Sequence, residues 1–314
     1  MPAIERPFFL VGSERSGTTL LRLMLSHHPR IDCAPEFEFL VEFPGFAGKD
    51  TDARAYAQWL ATDRIFGAYG LKIDPKLDFL ALANDFLWQY CGGSGKPIIG
   101  ATCHKHFDKL RDIWPRPRYV HLLRDGRDVA RSCVQMGWAG NVWYGVDRWI
   151  AAERLWDRIK STTDAEDRFE LQYEALILSP ERELARLCEF LGTPFDPKML
   201  EYANESSYEK PDPKLVQQWR RKLSSKELAL LEGKVGTLLR ARGYEPSGVD
   251  AVLPGPVERA RLKLEDRVGR LRFRVDRYGP ANVVAMKVAR TFGPRAWERA
   301  MVLRLNEIDN QHMR

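Results

Sequence analysis

The chain contains no stretch of 18 or more apolar residues, which excludes a hydrophobic helix long enough to cross a bilayer. Met1 to Pro7 lead straight into an apolar run and lack the basic-then-apolar character of a secretion leader, so a soluble cytoplasmic protein is expected. Cysteine is sparse: Cys33, Cys91, Cys103, Cys133 and Cys188 are odd in number and show no C-x-x-C spacing. They suggest neither a disulfide framework nor a zinc site, and small core side chains are the simpler reading. Internal repeats and low-complexity segments are also lacking, so a repeat architecture is not expected. A net positive charge is lacking in the main body. Residues 257 to 305 hold thirteen Lys/Arg against five Asp/Glu, more than the whole net charge of +6, and the rest of the chain is slightly acidic. Nucleic acid is therefore not expected as a partner.

What is present suffices for one large α/β domain with appendages: 314 residues, 44% of them hydrophobic. Four short aliphatic and aromatic runs, residues 8–13, 98–103, 118–124 and 169–173, read as strands separated by helical patterns. That alternation predicts a parallel sheet flanked by helices. Helices are expected over 17–27, stopped by Pro29; over 179–191, opening with Ser179-Pro180-Glu181; and over 224–242, opening with Ser224-x-x-Glu227 and closing at Gly243. Less sharply bounded helices fall near 53–66, 77–91 and 147–162. The Pro- and Gly-containing stretch 246–256 reads as a linker between a main domain, 1–245, and a helical extension, 257–314. In that extension Val257, Leu264, Val268, Leu271, Val275 and Tyr278 recur at helical steps beside a strongly basic face.

The first strand runs into GSERSGTT, residues 12–19, which has nearly the spacing of the nucleotide-binding phosphate loop, but Thr18 stands where that loop has its lysine. Gly12 and Gly17 permit positive φ and close backbone approach, and the helix that follows points its N–H groups and dipole at an anion. Without the lysine, a magnesium-bound triphosphate is poorly served. A less charged, metal-free donor fits better, with Arg15 as the cation and Ser16, Thr18 and Thr19 as hydroxyl donors. A plain strand-turn-helix corner is the bland alternative. After the third strand, RDGRDVARS places Arg124 at the strand end and Ser132 one turn into a helix. In an open parallel sheet both loops share the carboxyl rim, so Arg124 and Ser132 suit a second phosphate; the alternative is a salt-bridged turn.

Together these motifs resemble the sulfotransferases that use 3′-phosphoadenosine 5′-phosphosulfate (PAPS) and release adenosine 3′,5′-bisphosphate (PAP). The resemblance covers residues 8–245 and includes YEALILSPERELARLCEFLG (173–192) and QWRRKLSSKELALLE (218–232). RSGTTLLRLMLSHHPRIDCAPEFEFL (15–40) is most similar to the branch of the tyrosylprotein and many bacterial sulfotransferases. It implies a P-loop-type fold, a 5′-phosphosulfate held by Arg15, Ser16, Gly17, Thr18 and Thr19, and a 3′-phosphate held by Arg124 and Ser132, with no metal. That branch has a glutamate base 21 positions after the loop arginine, which lands on Glu36, expected in the loop after the first helix, with Glu38 two residues on. His104, Lys105 and His106 compete for the basic position after the second predicted strand: Lys105 as a stabiliser of the leaving oxygen, or one histidine as the base. Tyr173 reads equally as an adenosine contact or a core tyrosine; Arg220 or Arg221, beside Trp219, is a second candidate for the 3′-phosphate; and the aromatic stretch 136–150 is a candidate acceptor wall.

The implied reaction is sulfuryl transfer to a hydroxyl or amine of a sugar, lipid, peptide or small molecule. Its rivals are a P-loop kinase and a catalytically silent nucleotide-binding or membrane-associated protein of the same fold. The basic extension either packs over the body or rests on anionic lipid at a membrane surface.

Overall fold

The computed structural model describes residues 4–204 and 210–312. Five strands, β1 (Phe8–Val11), β2 (Ile31–Glu36), β3 (Ile98–Cys103), β4 (Arg118–Leu123) and β5 (Arg168–Gln172), form one sheet in the order β2-β3-β1-β4-β5. Every pairing is parallel. The four residues of β1 are all fully buried, as expected of a central strand covered on both faces. Phe9 and Val11 turn into one core and Phe8 and Leu10 into the other, following the two-residue alternation of a strand.

Four of these strands were legible as apolar runs. β2 was not, because Asp32 and Pro35 interrupt IDCAPE. It tolerates Pro35 because it is an edge strand whose pairing with β3 shifts register between Ala34 and Glu36. Glu36 therefore closes a strand of the sheet, where the sequence suggested a loop after the first helix. That fixes its backbone at the carboxyl rim beside β3.

Helix α1 (Thr18–His27) buries Leu20, Leu21, Met24 and Leu25 against the sheet. His28 is already extended, as a residue before proline prefers. The predicted helix 53–66 is two helices, α2 (Ala53–Leu60) and α3 (Arg64–Tyr69), because Asp63 accepts a hydrogen bond from the Phe66 N–H and starts a new helix. Helix α4 (Phe79–Cys91) fills the α2 side of the sheet. Beyond β4 come α5 (Gly126–Gln135), the short α6 (Val142–Gly145) and α7 (Asp147–Thr162). Then α8 (Tyr173–Leu178) and α9 (Pro180–Leu191) pack over the α1 face. The one-turn α10 (Trp219–Lys222) leads to α11 (Ser225–Ala241), which opens with the predicted capping box of Ser224 and Glu227.

The segment after α11 is tied down at two points: the Val252 N–H donates to the Ala229 carbonyl (2.9 Å) and the Ser247 N–H to Glu232 (3.0 Å). Three further helices follow, α12 (Pro256–Tyr278), α13 (Pro280–Phe292) and α14 (Arg295–His312). α12 lies against the loop after α5. The Gly140 N–H donates to Asp266 (2.8 Å) and the Asn141 amide to the Leu262 carbonyl (2.7 Å). The approach is so close that a Cβ on Gly140 would sit 2.6 Å from the Asp266 backbone. α14 reaches the start of α3 through Asn306 and the Thr62 carbonyl. Most of the apolar recurrence seen in the sequence is not what packs against the body: Val257, Leu264, Val268 and Leu271 are exposed, Val275 is half-buried and Tyr278 bonds Asp309 of α14, while α12 meets the body through Leu262, Asp266 and Phe273.

Candidate active site

The chain leaves β1 through three residues with positive φ, Gly12 (139°), Arg15 (70°) and Gly17 (96°). At Gly12 a Cβ would lie 2.5 Å from the Leu122 carbonyl oxygen; at Gly17 it would lie 2.5 Å from the Tyr173 ring. Glycine is thus required twice, once to pass β4 and once to seat an aromatic ring. The loop brings Ser16 over, where its Oγ is buried without a hydrogen-bond partner. α1 then begins with no side-chain cap, so its first N–H groups are available to an anion.

Arg15 is the non-glycine residue of the loop in left-handed backbone, at a cost of roughly 1–2 kcal/mol. Its conformation is held by contacts to the other motif. Its Nε donates to Ser132 Oγ (2.9 Å), and its carbonyl accepts from the Arg124 guanidinium (3.0 Å). Arg124 in turn stacks on the Tyr173 ring at 4.2 Å. The loops after β1 and β4 therefore form one wall, and the cations of both motifs line a cavity of about 340 Å³ with Gly17, Thr18, Thr19 and Tyr173.

RDGRD does two jobs. Arg127 is buried, paired with Asp125 (2.7 Å) and Glu232 (2.8 Å), and lies 3.7 Å from the Trp219 ring. Asp128 accepts from the Gln218 and Trp219 N–H groups (3.2 and 2.7 Å). The salt-bridged turn is real, and it leaves Arg124 to face the cavity.

At the far end of the cavity stand Glu36 and His104. The Glu36 carbonyl accepts from the Tyr69 hydroxyl (3.0 Å), which fixes the backbone and leaves the carboxylate between the cavity and a second recess. His104 Nδ1 lies 3.0 Å from the Gly12 carbonyl and its Nε2 lies 3.4 Å from Thr18 Oγ1. A carbonyl can only accept, so Nδ1 carries the proton and the Nε2 of the neutral ring is a lone pair. Beneath it, the His104 N–H donates to buried Glu38 (2.8 Å). Burial pushes the Glu38 carboxyl up to about 7; His104 opposes the shift and Glu36 adds to it.

Other sequence-predicted residues are not brought together. Lys105 turns outward and pairs with Glu42 (2.8 Å), and exposed His106 takes a left-handed turn (φ 51°) that carries both side chains to the surface. Only His104 of the three basic residues reaches the cavity. Arg220 and Arg221 are exposed and bonded to Gln217 and to the Lys214 carbonyl, outside the cavity wall. Conversely, Trp138 and Lys210 line it. Trp138 faces Arg148 at 4.7 Å and Arg15 at 6.0 Å; it lies within the aromatic stretch noted in the sequence, whereas Lys210 had no local signal.

A sequence model of the sulfotransferase family matches residues 7–197. Protein-tyrosine sulfotransferase A of Caenorhabditis elegans is 24% identical, over 83% of this chain and 73% of its own length. Protein-tyrosine sulfotransferase 1 of Danio rerio is 27% identical over 62% of this chain, a match that spans 55% of that relative. The nodulation protein NoeE of Sinorhizobium fredii is 25% identical, over 82% of this chain and 70% of its own. Among solved structures, the sulfotransferase domain of the Synechococcus PCC 7002 olefin synthase superposes with a TM-score of 0.57, at 21% identity, over 78% of this chain and 98% of that domain. That likeness is one of fold.

Glu38 yields a test of the buried layer beneath His104. Its folded value lies above that of an ordinary glutamate, so its contribution to stability is complete below about 4.5 and is lost as pH rises through about 7. Glu38→Gln, which keeps an oxygen for the His104 N–H, is expected to gain on the wild type across that interval by up to about 3 kcal/mol. Urea denaturation of both proteins at pH 5 and pH 8 measures it; a pH-independent difference contradicts the assignment.

Proposed function

Because the chain belongs to the sulfotransferase family, we propose that its cavity takes PAPS and that the enzyme transfers the sulfuryl group to an acceptor hydroxyl or amine. The observation that carries this reading is the junction of the two cationic loops: Arg15 and Arg124 line one cavity and bond each other's loop. A donor with two separated anionic groups matches such a pair. Partnerless Ser16 Oγ and the uncapped start of α1 supply further donors for the 5′ side. Arg15, Ser16, Gly17, Thr18 and Thr19 would hold the phosphosulfate, Arg124 and Ser132 the 3′-phosphate, and Tyr173 the adenosine.

PAPS supplies an electrophilic sulfur and, when its sulfur–oxygen bond to phosphate breaks, leaves as PAP. The Glu36 carboxylate takes the proton of the acceptor hydroxyl as its oxygen becomes the nucleophile. Arg15 and the first N–H groups of α1 face the negative charge that grows on the leaving side. The Nε2 lone pair of His104 makes it the competing base. Lys105 has no part in this scheme, being paired with Glu42.

The reading extends to location. We place the protein in the cytoplasm, with all five cysteines buried and unpaired, and touching membranes through its C-terminal helices. The support is a surface opposite the packed one. Leu262, Asp266 and Phe273 turn α12 toward the body, while Val257, Leu264, Val268 and Leu271 recur on its other side at 85, 61, 45 and 47% exposure. Val284, Val288 and Phe292 of α13 are likewise exposed. The excess of Lys and Arg around this apolar face suits anionic lipid and opposes a second copy of the same surface.

Two outcomes are expected. Glu36→Gln lowers turnover by roughly 10²–10⁴-fold with PAP affinity retained, whereas His104→Ala leaves a larger residue of activity; single-turnover transfer from labelled PAPS measures both, and near-wild-type turnover in Glu36→Gln removes it as the base. The protein should also float with phosphatidylserine vesicles but not with phosphatidylcholine vesicles, and lose that binding in the triple variant Leu264→Ser, Val268→Ser, Leu271→Ser. Equal behaviour on both vesicles, or a dimer in light scattering that the triple variant abolishes, overturns the membrane contact.

A further inference from the structure

Trp138 lines the cavity between the two cationic loops and also two hollows walled by α12, one of about 520 Å³ and one of about 300 Å³. Its position is set first by the end of α5. The Gly137 N–H donates to the Val134 carbonyl and the Trp138 N–H to the Cys133 carbonyl, both at 3.0 Å, and Gly137 takes a left-handed φ of 70°. That is the hydrogen-bond pattern by which a helix closes at a glycine. A second constraint comes from α12. A Cβ on Gly137 would lie 2.0 Å from the Phe273 ring, and one on Gly269 would lie 2.7 Å from the Gly140 Cα. Asp266, 6% exposed, ties the same loop down: one carboxylate oxygen accepts the Gly140 N–H (2.8 Å) and the other pairs with Arg270 (2.8 Å).

The Trp138 ring also meets the charged residues of the cavity. The Arg15 guanidinium lies 6.0 Å from its centroid and that of Arg148 4.7 Å. Arg148 is paired with Glu14, a carboxylate that itself lines the cavity and that, left unpaired, would repel an anionic ligand. Arg15 is exposed, so an indole ring beside it attracts the cation through the ring's quadrupole and keeps water from part of it. A guanidinium shielded in this way meets a phosphate more strongly than one surrounded by water. Resting on the sulfotransferase reading above, we infer that Trp138 is a further donor-binding residue, which holds Arg15 toward the 5′-phosphate, and that Asp266 of α12 is a positioning residue acting through the 137–141 loop. α12 lies outside the stretch matched by the family model, so the support for this part of the cavity comes from the C-terminal extension.

The alternative role for α12 is to stabilise the body and nothing more, and calorimetric titration of the full chain with PAP separates the two. Trp138→Ala is expected to weaken PAP binding by roughly three- to thirtyfold. Asp266→Ala, which leaves the Gly140 N–H without its acceptor, should weaken it by about twofold or more, and the double variant should bind no more weakly than Trp138→Ala alone. Asp266→Asn keeps an oxygen for Gly140 and should retain wild-type affinity. If Asp266→Ala does not fold, Phe273→Leu takes its place in the same cycle. Unchanged PAP affinity in Trp138→Ala overturns the proposal and leaves the ring to the acceptor. A melting temperature lowered by Asp266→Ala with PAP affinity intact overturns it too, as do two losses that add in the double variant, or an Asp266→Asn as weak as Asp266→Ala. Failure of the wild-type protein to bind PAP removes the sulfotransferase reading and this proposal with it, and the first titration keeps that outcome distinct from the others.

Discussion

Everything at the rim of this sheet depends on the contact between Arg15 and Arg124. Arg124 donates to the Arg15 carbonyl, and the Arg15 side chain donates to Ser132. That exchange compensates a left-handed arginine between two positive-φ glycines and fuses the loops after β1 and β4 into one wall. β1 lies between β3 and β4, so the wall stands where the chain changes direction across the sheet, the natural place for a ligand in a parallel α/β fold. Tyr173, at the start of α8, is held from both sides, by Gly17 and by the Arg124 guanidinium. The second half of the chain is thereby tied to the phosphate loop.

The cavity between the two cationic loops was legible because its parts are local. A glycine-bounded loop, an arginine within it and an arginine–serine pair eight residues apart are properties of short segments, and the fold brings both arginines to one cavity, with Ser132 bonded to Arg15. The four recognisable strands were legible for the same reason, being unbroken apolar runs. The surroundings of Glu36 were not. β2 hides behind Asp32 and Pro35, and only its register shift against β3 explains how Glu36 reaches the rim. His104, Lys105 and His106 look equivalent in sequence; a single left-handed residue at His106 separates them. Arg220 and Arg221 sit beside a tryptophan that is buried, yet their own side chains lie at the surface. Lys210 reaches the cavity from a distant segment that no spacing rule connects to the loop.

The extension shows how a correct pattern can face an unexpected way. The recurrence of apolar residues in α12 is real, but glycines at 137, 140 and 269 let the helix pack by its other side. Two consequences follow from one orientation: an apolar face with basic flanks remains at the surface, and Arg274 and Arg277 of the same helix line a hollow next to the recess beside Glu36. The proposed surface attachment would thus be carried by a part of the chain separate from the two cationic loops.

The proposal for the two cationic loops is that together they hold one ligand with two separated phosphates. It is tested most directly by thermal unfolding of the protein with PAP, with ATP plus magnesium, and with AMP. A large rise in melting temperature with PAP alone is the predicted result, since only PAP among the three presents both a 5′- and a 3′-phosphate. A rise confined to magnesium-ATP would contradict the account and turn the cavity into that of a phosphoryl-transfer enzyme.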